Sequence, residues 1–98
     1  MGRMSSTPSR FRISPDAMAT RMDLHEIVLV HLKTDRILVL NHTGSHVWDL
    51  LMAGFELAEI RRRLLDEFDV PEDRLAGELE EFLASLTNEQ LIRPDGDD

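Results

Sequence analysis

The sequence predicts an α+β domain in which a three-stranded antiparallel sheet is followed by three helices. Three observations predict it. The apolar pattern changes period once, near residue 41, with β-branched runs before it and helical spacing after it. The runs before it are short and joined by links of hairpin length, which suits antiparallel pairing. The apolar residues after it fall into three groups, separated at Gly54 and at Asp69-Val70-Pro71, residues that stop or break helices.

Ninety-eight residues suit one domain with one modest core. Residues 1–13 are rich in Ser, Thr, Pro and Arg and read as a flexible segment, its end pinned to the domain by Phe11 and Ile13. The folded domain is expected over 14–93 and a disordered tail over 94–98. Ser14-Pro15-Asp16 reads as a turn. Met18 to Leu24 alternates as a first strand, with Met18, Thr20, Met22 and Leu24 on one side. Ile27 to Leu32 is a run of apolar and β-branched residues and reads as the second. Lys33-Thr34-Asp35 is the connection, and Arg36 to Leu40 returns as the third.

Asn41, Thr43 and Ser45 are helix-capping residues. After them Val47, Trp48, Leu50 and Leu51 lie at helical spacing, so a first helix is expected from Thr43 to Ala53, with Trp48 packed beneath the sheet beside Leu51 and Leu64. Gly44 is expected to let that helix approach the sheet closely. A second helix is expected from Leu57 to Phe68, with Leu57, Ile60, Leu64, Leu65 and Phe68 on its apolar face. A third runs from Glu72 to Thr87, with Pro71 at its start and a stripe of Leu75, Leu79, Phe82, Leu83 and Leu86. Asn88 is the expected left-handed cap, after which Leu91 and Ile92 fold back on the core. Three strands and three helices in this order have the content of a winged-helix-like domain.

The composition excludes several functions. There is no cysteine, hence no disulfide, zinc-thiolate site or thiol nucleophile. No apolar run approaches the length of a membrane span, and the N-terminus lacks a secretory apolar core, so a cytoplasmic protein is expected. The net charge of −8 is uneven: residues 64–98 carry twelve acidic and two basic side chains, residues 1–63 seven and nine. Such an acidic half repels phosphates. His42 and His46 have the i, i+4 spacing of helical metal ligands, but His42 precedes the expected helix and no carboxylate stands at the matching offset, so no metal site is expected. Ser45 and His46 are sequence neighbours that point about 100° apart on a helix, too far for a nucleophile and its base. Thr43-Gly44-Ser45 lacks the second glycine and the lysine of a phosphate loop. Arg61-Arg62-Arg63 spreads round a helix and reads as a solvated face.

The third strand is the most informative element. Ile37-Leu38-Val39-Leu40 is unbroken and guarded only by Arg36. Strand geometry sends Leu38 and Leu40 to one face and Ile37 and Val39 to the other. One pair enters the core; the other is left on a surface suited to strand addition.

These residues carry a family likeness. Ile27-Val28-Leu29-Val30, Asp35-Arg36, the run Leu40-Asn41-His42-Thr43-Gly44 with Trp48, then Gly54, Leu57, Glu59, Ile60, Phe68-Asp69-Val70, Glu78-Leu79, Phe82-Leu83, Leu86 and Leu91-Ile92 resemble PqqD-like proteins over about residues 14–92. These are the peptide-recognition elements of pathways that modify ribosomally made peptides. Two positions depart from the pattern: Asp35 stands where the hairpin usually carries glycine, and Gln90 where glycine usually precedes the final Leu-Ile, so the turns there are expected to differ. The resemblance implies a winged-helix-like fold without catalysis, cofactor or metal. It implies that the leader segment of a precursor peptide adds as a strand beside the third strand, Arg36, Ile37, Leu38, Val39 and Leu40, and meets Leu75, Glu78, Leu79 and Phe82 of the third helix. The implied partners are that leader and a separate modifying enzyme or leader protease, with a lasso-peptide pathway the expected setting. No nucleic acid and no membrane partner is expected. The alternative, a nucleic-acid-binding winged helix that reads with its third helix, meets Asp73, Glu78, Glu80, Glu81 and Glu89 on that helix, a charge pattern that opposes it.

Overall fold

The computed structural model describes residues 10–23 and 26–95. Of the flexible segment expected over residues 1–13 and the tail expected over 94–98, residues 1–9 and 96–98 lie outside the described residues, as does Leu24 of the first strand, whereas Phe11–Ile13 and Pro94 are in strands. Strands β1 (Phe11–Ile13), β2 (Ala17–Asp23), β3 (Glu26–His31) and β4 (Ile37–Leu40) precede helices α1 (His42–Met52), α2 (Leu57–Glu67) and α3 (Glu72–Asn88), and a short β5 (Ile92–Pro94) closes the chain. β2, β3 and β4 form the expected antiparallel sheet in that order. Ile27, Leu29 and His31 of β3 and Leu40 of β4 are buried against α1, α2 and α3. Trp48 lies in this core, 2 % exposed, with Leu51, Ile60, Leu64, Leu83 and Leu86.

β1 and β5 form a second sheet of two strands, with Phe11 opposite Pro94 and Ile13 opposite Ile92. Strands of three residues, one containing proline, leave little periodicity to read in a sequence. Leu91 and Ile92 fold back as expected, 1 % and 2 % exposed, and β1 covers that return.

The helix ends differ instructively from expectation. Asn41 is the N-cap of α1, its Oδ1 accepting from the Gly44 N–H at 2.8 Å, so the helix starts at His42 rather than Thr43. His42 and His46 therefore share a face, and both rings meet the Phe68 ring edge-on at 5.4 and 5.8 Å. α1 ends at Gly54, whose φ of 89° lets its N–H donate to the Leu51 carbonyl and the Phe55 N–H to that of Leu50, the paired bonds of a Schellman cap. α3 ends the same way, but the left-handed residue is Gln90 (φ 61°), not Asn88, which remains helical. There the Gln90 N–H donates to Thr87 and the Leu91 N–H to Leu86. Gly44 makes room for α3 and not, as expected, for the sheet: a Cβ there would lie 3.2 Å from the Phe82 ring. Arg62 and Arg63 of α2 converge on Glu59 at 2.6 and 2.9 Å, and the hydrogen bond from Arg62 holds that carboxyl below its usual range. Among the described residues no helix is long and apolar enough to cross a membrane.

Candidate functional site

Among the described residues β4 is hydrogen-bonded on one side only, to β3, with Ile27 opposite Leu40, Leu29 opposite Leu38 and Val30 opposite Ile37. The His31 N–H donates to the Arg36 carbonyl at 3.0 Å. Bonded and non-bonded pairs alternate along an antiparallel ladder. Leu38 and Leu40 therefore turn their amides toward β3, and Ile37 and Val39 turn theirs outward. On the other side of the ladder the Leu32 N–H donates to Asp16, so the same alternation runs through the whole sheet. The open edge offers the N–H and C=O of Ile37 and Val39, four groups in a row.

The side chains divide as the two-residue period requires. Ile37 and Val39 are 65 % and 58 % exposed. Leu38 is half-buried, and Leu40 lies in the core at 2 % with its amide turned to β3, so a ligand at this edge meets the outward groups of Ile37 and Val39 instead. Ser45 Oγ donates to the Leu40 carbonyl at 3.3 Å, which ties the end of the strand to α1.

Beside this end of β4 an apolar cavity of 130 Å³ opens between the start of α1 and α3. Val47, Leu64, Leu75 and Leu79 form its floor, Phe82 and Gly44 one wall, and Glu78 with Asn41 and Thr43 the polar rim. A cavity of about 150 Å³ admits a benzene-sized group, so this one suits a single apolar side chain. The fold thus brings Leu75, Glu78, Leu79 and Phe82 of α3 together around one opening. It places Arg36 at the other end of β4, where Nη2 meets Glu89 Oε2 at 3.0 Å at the end of α3. Glu78 is exposed and pairs with Arg74 at 3.1 Å. The Arg36–Glu89 pair links the start of β4 to the end of α3, and the apolar opening lies past the other end of β4, where α1 meets α3.

Sequence reasoning missed Asn41, Thr43, Gly44, Val47 and Leu64 as lining residues. The first three carried a signal, because a cap and a glycine at one helix start mark a close approach. Val47 and Leu64 could be recognised only as core. Among the described residues no group of acidic residues and histidines could hold a metal ion.

The family model described as coenzyme PQQ synthesis protein D (PqqD) matches residues 26–92. A solved structure described as TbiB1 in complex with the TbiA(beta) leader peptide is similar over 88 % of this chain and 99 % of that one, at 31 % identity and a TM-score of 0.80. Another, described as lasso peptide synthetase B1 complexed with the leader peptide, is 21 % identical over 88 % of this chain and 100 % of that one, with a TM-score of 0.78, a likeness of fold. No curated protein sequence matches.

Proposed function

The chain belongs to the PqqD family, and from that premise we propose that it is a non-catalytic adaptor that holds the leader segment of a ribosomally made precursor peptide and presents it to a separate modifying enzyme or leader protease. The setting we assign is a lasso-peptide pathway in the cytoplasm. The observation that carries the reading is the edge of β4: four outward backbone groups on Ile37 and Val39 beside an apolar cavity that takes one side chain. The 31 % identical TbiB1 is described in complex with a leader peptide, which supports a leader peptide as the ligand.

In this reading the leader adds as a strand beside β4, between it and α3. Along the edge from Arg36 to Leu40 the outward groups of Ile37 and Val39 supply the backbone bonds, while Arg36, Leu38 and Leu40 hold the strand to β3, and Leu75, Glu78, Leu79 and Phe82 receive side chains. Four added hydrogen bonds at about 0.5–1.5 kcal/mol each contribute about 2–6 kcal/mol. One or two buried apolar anchors add about 1.5–3 kcal/mol each. Ordering the peptide and loss of its translational freedom cost several kcal/mol, which leaves an affinity near micromolar, about −8 kcal/mol.

Val39→Pro tests it. The substitution deletes one outward donor and no β3–β4 bond, so the fold should survive. We expect fluorescence anisotropy with a labelled lasso-precursor leader peptide that binds the intact chain to show binding weakened about tenfold or more. A folded Val39→Pro protein with unchanged affinity would place the peptide elsewhere.

A further inference from the structure

At the opposite end of β4 from the apolar cavity lies a second, polar cavity of 560 Å³. His31, Lys33 and Thr34 line it from the β3–β4 turn, Gln90 and Arg93 from the return after α3, and Asp16 from the turn before β2. His31 is 4 % exposed. Its Nδ1 accepts from the backbone N–H groups of Lys33 and Thr34 at 3.2 and 3.4 Å, so the ring proton sits on Nε2. That Nε2–H has no hydrogen-bond partner among the described residues. It is not sealed off either, because among the described residues no fully buried side-chain nitrogen or oxygen is without a hydrogen-bond partner. The donor of a residue more than nine-tenths buried therefore opens on the cavity its ring lines.

The charges around it are unbalanced. Lys33 is 3.9 Å from Asp16 and largely exposed, and Arg93 has no ion pair among the described residues. Of the carboxylates just outside it, Glu89 is engaged by Arg36, and Asp35 stands in the same turn without lining the cavity. Two cations, one carboxylate and a fixed imidazole donor make a wall that favours an anion. Thr34 and Gln90 place this cavity just past the Arg36–Glu89 pair. At about 3.3 Å per residue, a strand needs about five residues to run from the apolar cavity at Asn41 to this one.

We propose that this cavity is a second subsite of the peptide edge and takes a carboxylate side chain of the bound peptide, about five residues from the side chain that fills the apolar cavity. The proposal rests on the leader-binding reading. It adds to that reading a requirement for an acidic residue at a fixed spacing, met by His31 Nε2–H, Lys33 and Arg93.

The test is a double-mutant cycle. Each acidic residue of the leader is replaced in turn by its amide, and binding is measured to the intact chain and to Lys33→Gln/Arg93→Gln, two exposed positions whose change leaves the core alone. One peptide substitution should weaken binding to the intact chain about tenfold and leave binding to the double variant unchanged. Equal losses in both proteins, or no loss in either, would overturn the subsite. A leader that fails to bind the intact chain at all would instead remove the reading beneath it. In that event nitrogen NMR of the His31 ring, titrated in parallel with N-acetyl-aspartate methylamide and inorganic phosphate, decides the cavity alone. A saturable shift with the aspartate probe, lost in the double variant, supports a carboxylate site. No shift overturns it, and tighter binding of phosphate makes it a site for free anions and overturns the peptide subsite.

Discussion

Asp35 and Gln90 hold left-handed backbone, with φ of 62° and 61°, at the two positions where the family pattern carries glycine. The turns expected to differ thus keep the left-handed geometry glycine would supply, at a cost on the order of 1 kcal/mol each for a residue with a Cβ. Gln90→Gly relieves that strain and gives back part of it as unfolded-state entropy, so it should raise stability by no more than about 0.5 kcal/mol in urea denaturation. The same change removes an amide from the wall of the polar cavity. Trp48 is the opposite kind of residue, fixed by packing alone. Trp48→Ala should cost about 3–5 kcal/mol, a large share of the stability of a domain this size, and a cooperative thermal melt near that of the parent protein would move the core elsewhere. Glu78 stands on the rim of the apolar cavity, whereas Glu80 lines the far side of α3 near Phe11 and Pro94. Glu78→Ala should weaken leader binding about tenfold without lowering the melting temperature, and Glu80→Ala should do neither. Equal affinities by isothermal titration would leave the groove purely apolar, since an exposed carboxylate with only Arg74 as partner contributes about 0–1 kcal/mol.

At the scale of elements, the site is made by two pieces that never form a layer together. β4 belongs to the sheet and α3 to the helices, and they are joined at one end by Arg36 and Glu89 and at the other through Gly44. The close contact of Gly44 with Phe82 sets the width of the apolar cavity. Gly44→Ala places a methyl 3.2 Å from the ring and 3.3 Å from Asn41 Oδ1, so Phe82 must give way into the opening. The expected result is leader affinity reduced about tenfold with a loss of stability near 1 kcal/mol or less, because alanine favours the helix by about as much as the crowding costs. Peptide titration and a thermal melt of the same variant separate the two effects, and unchanged affinity would show that the ring turns outward instead.

At the scale of the whole molecule, the chain closes on itself through β1 and β5, and this closure covers Leu91 and Ile92. A chain that starts at Ser14 loses β1 with the half-buried Phe11 and Ile13. About 1 kcal/mol for each side chain and a similar sum from the strand bonds predict a melting temperature lower by about 10 °C or more, with the leader site intact. An unchanged melt would make β1 an ornament of the surface. The sequence by itself determined the order and type of the main elements, the split of Leu38 and Leu40 from Ile37 and Val39 across the strand, and the family, because each rests on local periodicity or on residues close together in the chain; which pair turns inward the fold decided. It could not reveal β1 with β5, the packing of Gly44 on Phe82, the shared ring contacts of His42 and His46, or the two cavities at either end of β4. Those depend on which residues meet across long stretches of chain. His31 reads as one more polar residue at a strand end until the fold buries its ring, fixes its proton on Nε2 and sets Lys33 and Arg93 beside it, and only the tertiary structure decides that.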